Sequence, residues 1–238
     1  MNPSFELPPD PPPHLSHVNL EKHLQSKIRI VTLGDSVTYS QADFEKCWPV
    51  VLERRLKELL KEDSISVANA GIGGTTSGQA LARWDRDVVP YKPTVLILAC
   101  ILNDGYLRDG VKCAGFGNKF TKHTRREATA CWTELVQRAK KIKAKTVLWT
   151  TNPWLTYWVN EASDDWVYAQ DRSYDRIRRR YMKFAANNKL PLVDTYREFM
   201  KQHDVASLMD DWLHHSAKGA ELIAGCIANQ VAGMIGKK

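Results

Sequence analysis

The sequence predicts a three-layer α/β sandwich, a five-stranded parallel sheet wound in both directions with helices on each face. Two observations carry this: five short apolar runs, each the length of one buried strand, and between them amphipathic stretches of helical period. Size agrees, since 238 residues with 43% hydrophobic and 26% charged side chains can build one core without staples or metals.

Residues 1–26 come first. Pro3, Pro8, Pro9, Pro11, Pro12 and Pro13 fix φ and remove hydrogen-bond donors, so this segment is expected to be an extended arm, with the folded domain running from 27 to 238. The predicted strands follow at 28–33 (IRIVTL), 66–70 (SVANA), 94–100 (TVLILAC), 145–151 (KTVLWTT) and 190–195 (LPLVDT). Each reads as buried on both faces, as a central parallel strand is. Helices are predicted near 43–62, 76–88, 120–143, 165–188 and 216–235. Right-handed crossovers between such units favour a flavodoxin-like strand order, which places ligands beyond the carboxyl ends of the strands.

Composition excludes several classes. No run of 18 apolar residues exists, and the N-terminus lacks the basic start, apolar stretch and cleavage site of a secretory signal, so a cytoplasmic protein without a membrane span is expected. Five scattered cysteines with no C-x-x-C fit a reducing compartment and neither a disulfide framework nor a zinc site. The formal charge is +7, but acidic residues are interspersed and the densest basic runs, 140–145 and 176–180, lie on predicted helices. They read as solvated helix faces, and no nucleic-acid partner is expected.

The chemistry-bearing residues gather after the apolar runs. Behind the first stands Gly34-Asp35-Ser36-Val37-Thr38, which is similar to a G-x-S-x-G nucleophile elbow with Thr38 in place of the last glycine; the same residues also make turns and helix caps. Behind the second comes Asn69-Ala70-Gly71-Ile72-Gly73-Gly74-Thr75-Thr76, a turn whose backbone N–H groups can hold an anion. A dinucleotide fingerprint is excluded, because Thr76 stands where its third glycine or alanine belongs, and no phosphate-loop signature occurs. Behind the third, Asn103-Asp104-Gly105 offers an amide donor or a plain turn. Near the C-terminus, Asp211 precedes His214 by three residues, the spacing at which a carboxylate can orient an imidazole, or simply form a surface pair. The neighbouring carboxylates and histidines match no familiar metal-ligand spacing.

In the order Ser, Gly, Asn, then Asp-x-x-His, these four blocks resemble the SGNH hydrolase superfamily, the GDSL esterases and lipases. The resemblance runs from about Lys27 to the end and includes the Pro-containing segment Thr150–Trp154 after the fourth strand. It implies Ser36 as nucleophile, His214 as general base and Asp211 as its orienting carboxylate. The implied oxyanion hole comprises the backbone N–H groups of Ser36 and Gly74 and the side-chain amide of Asn103, with Gly74 chosen because it follows Asn69 by five positions. His214 rather than His215 fits the block. No cofactor or metal is implied. Two departures stand out: Ile101 occupies the position of a usual glycine two places before Asn103, and Ser40 that of a frequent glycine four residues after Ser36.

The substrate is expected to be a small-molecule or carbohydrate ester. Trp154, Tyr157, Trp158, Trp166, Tyr168 and Tyr174 follow the fourth strand, where aromatic faces can stack on sugar rings or cap the next helix; Trp154, Tyr157 and Trp158 are the candidate substrate contacts. No long apolar lid is evident, which favours a short-chain acyl group such as acetyl. A thioesterase or lysophospholipase of the same family, and a noncatalytic ligand-binding domain of the same shape, are the alternatives.

Overall fold

The computed structural model describes residues 10–40, 44–105, 125–155 and 164–236. Among these, β1 (Ile28–Gly34), β2 (Ile65–Gly71), β3 (Val95–Ala99), β4 (Lys145–Thr150) and β5 (Leu192–Asp194) form one parallel sheet in the order β2-β1-β3-β4-β5, the flavodoxin-like order expected. The helices are α1 (Leu20–Gln25), α2 (Ser36–Tyr39), α3 (Trp48–Leu60), α4 (Ser77–Ala82), α5 (Trp84–Asp87), α6 (Ile101–Gly105), α7 (Arg125–Lys141), α8 (Asp164–Asn187), α9 (Thr195–Met200) and α10 (Ala217–Ile235). α3 packs with α10 on one face of the sheet, while α4, α7 and α8 form the layer on the other. No helix among the described residues is long and apolar enough to cross a membrane.

The apolar runs behave as buried strands should. All of β3 is buried, as are Ile30, Val31 and Leu33 of β1 and Val147, Leu148 and Trp149 of β4. Trp48 of α3 meets Trp149 edge-on at 5.1 Å, and Trp132 of α7 meets Tyr181 of α8 at 4.8 Å, so large aromatic rings link both helical layers to one core. The run 190–195 departs from expectation. Within β5 only the middle residue, Val193, is buried, because β5 is the outer strand with a neighbour on one side alone.

Three other segments differ from their sequence reading. The predicted helix over 76–88 is two short helices divided at Arg83, whose backbone (φ −95°, ψ 9°) leaves the helical region. Asn103-Asp104-Gly105 lies inside the short helix α6 rather than an open turn. The Pro-rich segment is not extended throughout. Residues 13–17 form a 3-10 turn with Pro13 in its first turn, and α1 follows on an Asn19 cap. Beyond Pro13 this stretch has no further proline, so the steric ban on helix ends there.

The register fixes where the loops emerge. Gly34 of β1 pairs with both Gly71 of β2 and Ala99 of β3, so three strands end level and their following segments share one edge. At the first exit Asp35 caps α2, its carboxylate accepting the Val37 N–H at 3.2 Å, which makes Ser36 the first helical residue. Asp35 is fully buried, and burial pushes its carboxyl up to about 7 against the opposing pull of that hydrogen bond. A folded-state value above the unfolded one means that the stability this group contributes is complete below about pH 4 and is lost as pH rises through about 7. Asp35→Asn keeps the cap acceptor and removes the titration. Its stability relative to wild type, from urea unfolding at several pH values, should rise from pH 4 to pH 8 by on the order of a few kcal/mol; a difference independent of pH would show that Asp35 does not titrate in this window.

Candidate active site

Ser36 sits at the amino end of α2, nearly buried, on backbone held from several directions. The carbonyl of Val37 accepts hydrogen bonds from Trp48 Nε1 at 3.0 Å and from His215 Nε2 at 3.2 Å. The first ties the serine turn to the helical layer and the second to the C-terminal loop. Space on the β2 side is minimal: a Cβ on Gly71 would fall 2.2 Å from Tyr39 N and 2.6 Å from the Thr38 carbonyl carbon, both backbone atoms. Only glycine permits this approach of β2 to the serine helix.

The second segment, 71–76, folds back toward Ser36. A Cβ on Gly73 would lie 4.0 Å from that of Ser36, so this turn runs alongside the serine. Gly74 takes φ +71°, a conformation glycine adopts freely; a Cβ there would meet no atom within 4 Å, so its requirement is conformational rather than steric. The turn is internally braced. Asn69 Oδ1 accepts the Gly71 N–H at 3.0 Å, Thr75 Oγ1 donates to Ile72 O at 2.9 Å, and the Ile72 N–H donates to Gly34 O at 3.2 Å. Thr76 and Gln79 then close a reciprocal capping box on α4.

Asn103 comes to the same place from β3. Its Nδ2 donates one hydrogen to Thr75 O at 3.0 Å, which leaves the second for another acceptor. Next to it, Asp104 accepts from Ser77 N at 3.0 Å and from Trp132 Nε1 at 2.9 Å, anchoring α6 to α4 and α7. Ile101 is fully buried as the first residue of α6 and does not displace the asparagine from the Thr75 turn.

The fourth segment delivers the imidazole. Asp211 Oδ1 accepts the N–H groups of Leu213 at 2.6 Å and His214 at 2.5 Å, and its Oδ2 lies 2.7 Å from His214 Nδ1. Burial alone would raise the Asp211 carboxyl, but the His214 ring and the two backbone N–H groups together hold it below the ordinary value. An ionised carboxylate can only accept, so the Nδ1 that faces it carries a proton and donates. Nε2 has no hydrogen-bond partner among the described residues.

The loop is pinned by the segment after β4: Asn152 Nδ2 donates to Leu213 O at 2.7 Å and Leu155 N to Trp212 O at 2.7 Å. His214 and Ser36 line one cleft of about 130 Å³, together with Val37, Ser40, Asp210, Asp211 and His215. His215 offers no such free nitrogen. It is buried, its ring nitrogens lie 3.2 Å from the carbonyls of Val37 and Ser216, and burial lowers its proton affinity.

Ser40 has φ 55°, a value that glycine takes readily and serine seldom does, so the family's frequent glycine here is replaced without a change to an ordinary backbone. His14 backs this rim: its ring lies 4.8 Å from that of Tyr39 and 5.2 Å from that of Phe44, with Nε2 3.5 Å from Ser40 O. Trp154 is not brought to the cleft. It is buried, stacked on Tyr174 at 5.1 Å and edge-on to Trp212 at 6.0 Å, as a packing residue is. Tyr157 and Trp158 lie outside the described residues. Among the described residues no group of three or more His, Cys, Asp or Glu side chains is placed to hold a metal ion.

Sequence reasoning passed over Asn152, His14 and Arg83. Their signals were weak: an asparagine before a proline, a histidine in a Pro-rich stretch, and one cation in the otherwise uncharged run Ser77–Trp84.

Comparison with known proteins bears on the fold and the family. An arylesterase of Vibrio mimicus is 32% identical over 82 residues, a stretch spanning 34% of this chain and 40% of that relative. Among solved structures, an acetylxylan esterase of Geobacillus stearothermophilus superposes with a TM-score of 0.67 at 22% identity, covering 87% of this chain and 94% of that one. A lipase/acylhydrolase of Enterococcus faecalis gives 0.64 at 20% identity, over 87% and 96% respectively. At such identities the likeness is one of fold. The sequence of residues 32–222 matches the GDSL-like Lipase/Acylhydrolase family. Since the match takes in the serine, glycine, asparagine and Asp-x-x-His segments alike, the chain belongs to the GDSL-like lipase/acylhydrolase family of serine ester hydrolases.

Proposed function

We propose that this protein hydrolyses short-chain acyl esters, acetyl esters of carbohydrates foremost, through an acyl-enzyme on Ser36. The observation that carries the reading is the Asp211–His214 pair, with its free Nε2 in the cleft that Ser36 also lines. In this mechanism His214 Nε2 takes the Ser36 proton as Oγ attacks the acyl carbon, then returns it to the departing alcohol. Water, deprotonated by the same nitrogen, attacks the acyl-enzyme and frees the acid and Ser36. Asp211 keeps the Nδ1–H tautomer and stabilises the imidazolium formed in each half. Negative charge on the carbonyl oxygen is met by the N–H groups of Ser36 and Gly74 and by the second amide hydrogen of Asn103.

The acyl preference follows from the walls. Among the described residues, the cleft is lined besides Ser36 and His214 by Ser40, Asp210, Asp211 and His215, with Val37 as the one aliphatic side chain. Each methylene of a longer acyl chain needs apolar surface to gain about 0.8 kcal/mol, and these walls offer little. An acetyl or similar group demands none. The acetylxylan esterase likeness is consistent with a glycan-borne ester.

Ser36→Ala should abolish p-nitrophenyl acetate hydrolysis and fluorophosphonate labelling, with turnover down at least about 1000-fold, and His214→Ala should match it in turnover within roughly tenfold. A Ser36→Ala protein keeping a tenth of its activity would sink the assignment.

Asn103→Ala should lower kcat about 100-fold with little change in KM, since its donor serves a charge present only after attack. An unchanged kcat would remove Asn103 from the site. Across p-nitrophenyl esters, kcat/KM should peak at about two to four acyl carbons and fall steeply by about eight, the extra methylenes finding no apolar wall. A rise through decanoate would point to a lipase or thioesterase, and acetate release from acetylated xylan is the direct test of the glycan reading.

A further inference from the structure

Arg83 is fully buried, a rare state for arginine, and no step of the proposed chemistry uses it. It stands at the break between α4 and α5, and its guanidinium reaches under the sheet edge. Nη2 donates to Gly34 O at 2.8 Å; Nη1 donates to Ala70 O at 2.7 Å and to Asp87 Oδ2 at 3.0 Å. Gly34 ends β1 two residues before Ser36, and Ala70 lies in β2 four residues before Gly74. One rigid planar group therefore bridges the peptides from which the serine turn and the glycine turn depart. Gly34 O is a shared hub, since it also accepts from Ile72 N of the glycine turn at 3.2 Å.

Stability alone is a poor account of this group. Breaking up a buried ion pair is costly, yet replacing the whole pair with apolar residues of similar volume is often neutral or better. Asp87, moreover, has a second partner, because Arg86 Nε donates to its Oδ1 at 2.6 Å. What an apolar replacement could not do is hold two carbonyl oxygens at a fixed separation. That separation sets how far the N–H of Gly74 stands from the N–H and Oγ of Ser36, and misplacement of about 1 Å near reacting atoms can cost roughly 100-fold in rate.

We propose that Arg83 is a positioning residue for the oxyanion hole, clamping the carboxyl ends of β1 and β2 so that the Ser36 and Gly74 backbone donors converge on one oxygen. The inference rests on the reading of Ser36 as nucleophile and Gly74 as donor. Arg83→Met and the paired Arg83→Met/Asp87→Leu, which removes both charges, should each keep the wild-type circular dichroism spectrum. Both should lower kcat on p-nitrophenyl acetate by about 10- to 100-fold with KM within about twofold. Arg83→Lys, which restores a donor but not the fork, should recover part of the loss. Combining Arg83→Met with Asn103→Ala should cost less than the product of the single effects, because both act through the turn that ends at Thr75. Folded variants with wild-type kcat, a loss confined to KM, or strictly multiplicative effects would overturn the proposal. So would failure of the single and paired variants alike to fold, which would make Arg83 a folding residue only. Ser36→Ala run alongside separates the two readings: activity retained there refutes the nucleophile itself, whereas loss there with full kcat in the Arg83 variants refutes the clamp alone.

Discussion

The level ending of β1, β2 and β3 is the constraint on which this molecule's site depends. Parallel pairing brings Gly34, Gly71 and Ala99 side by side, so three segments far apart in sequence emerge at one edge within the span of three strands. Each then turns at once. Asp35 caps α2, the glycine turn folds back onto Ser36, and α6 begins two residues after β3. A slip of one residue in either pairing would carry Ser36, Gly74 or Asn103 along the strand axis by about 3.3 Å, more than a hydrogen bond tolerates.

Holding that edge together requires polar groups where an ordinary core would be apolar. Asp35, Arg83, Asp87, Asp104 and His215 are all buried beneath or beside it, and their partners are mainly backbone atoms of the serine and glycine turns and of the supporting helices. Such burial is costly, and the hydrogen bonds these groups do make fix the turns at this edge, although Asp35 Oδ2 and Arg83 Nε have no hydrogen-bond partner among the described residues. Farther from that edge, Ile30, Leu96, Ile97 and Val147 belong to the continuous hydrophobic core.

The Asp211–His214 loop is assembled differently. Asp211 organises its own turn by accepting two backbone N–H groups and the imidazole, so carboxylate and ring form a local unit before any long-range contact. That unit is docked by donors from elsewhere. Asn152 and Leu155 after β4 fix it from one side, and His215 reaches 178 residues back to the Val37 carbonyl from the other. The serine turn and the Asp211–His214 loop thus share Val37 O as an anchor, as the serine and glycine turns share Gly34 O.

Much of this was legible from the sequence because the signals are local. Buried strands announce themselves as β-branched runs, Gly34-Asp35-Ser36 and Asp211-x-x-His214 are short-range motifs, and alternation of strand with helix restricts the topology to the order observed. Boundaries set by partners were not. β5 is half-exposed because it has no neighbour beyond it, α4 and α5 part at Arg83 where its side chain turns inward to two strand ends, and Trp154 packs on Tyr174, which lies 20 residues along the chain. The sequence by itself determined the fold class and the residue types at the site, since both follow from periodicity and short motifs. Only the tertiary structure decided that Arg83 bridges two strand ends, that His215 is an anchor and that Trp154 is buried. Each of those facts depends on carbonyls and rings brought close by the folded chain.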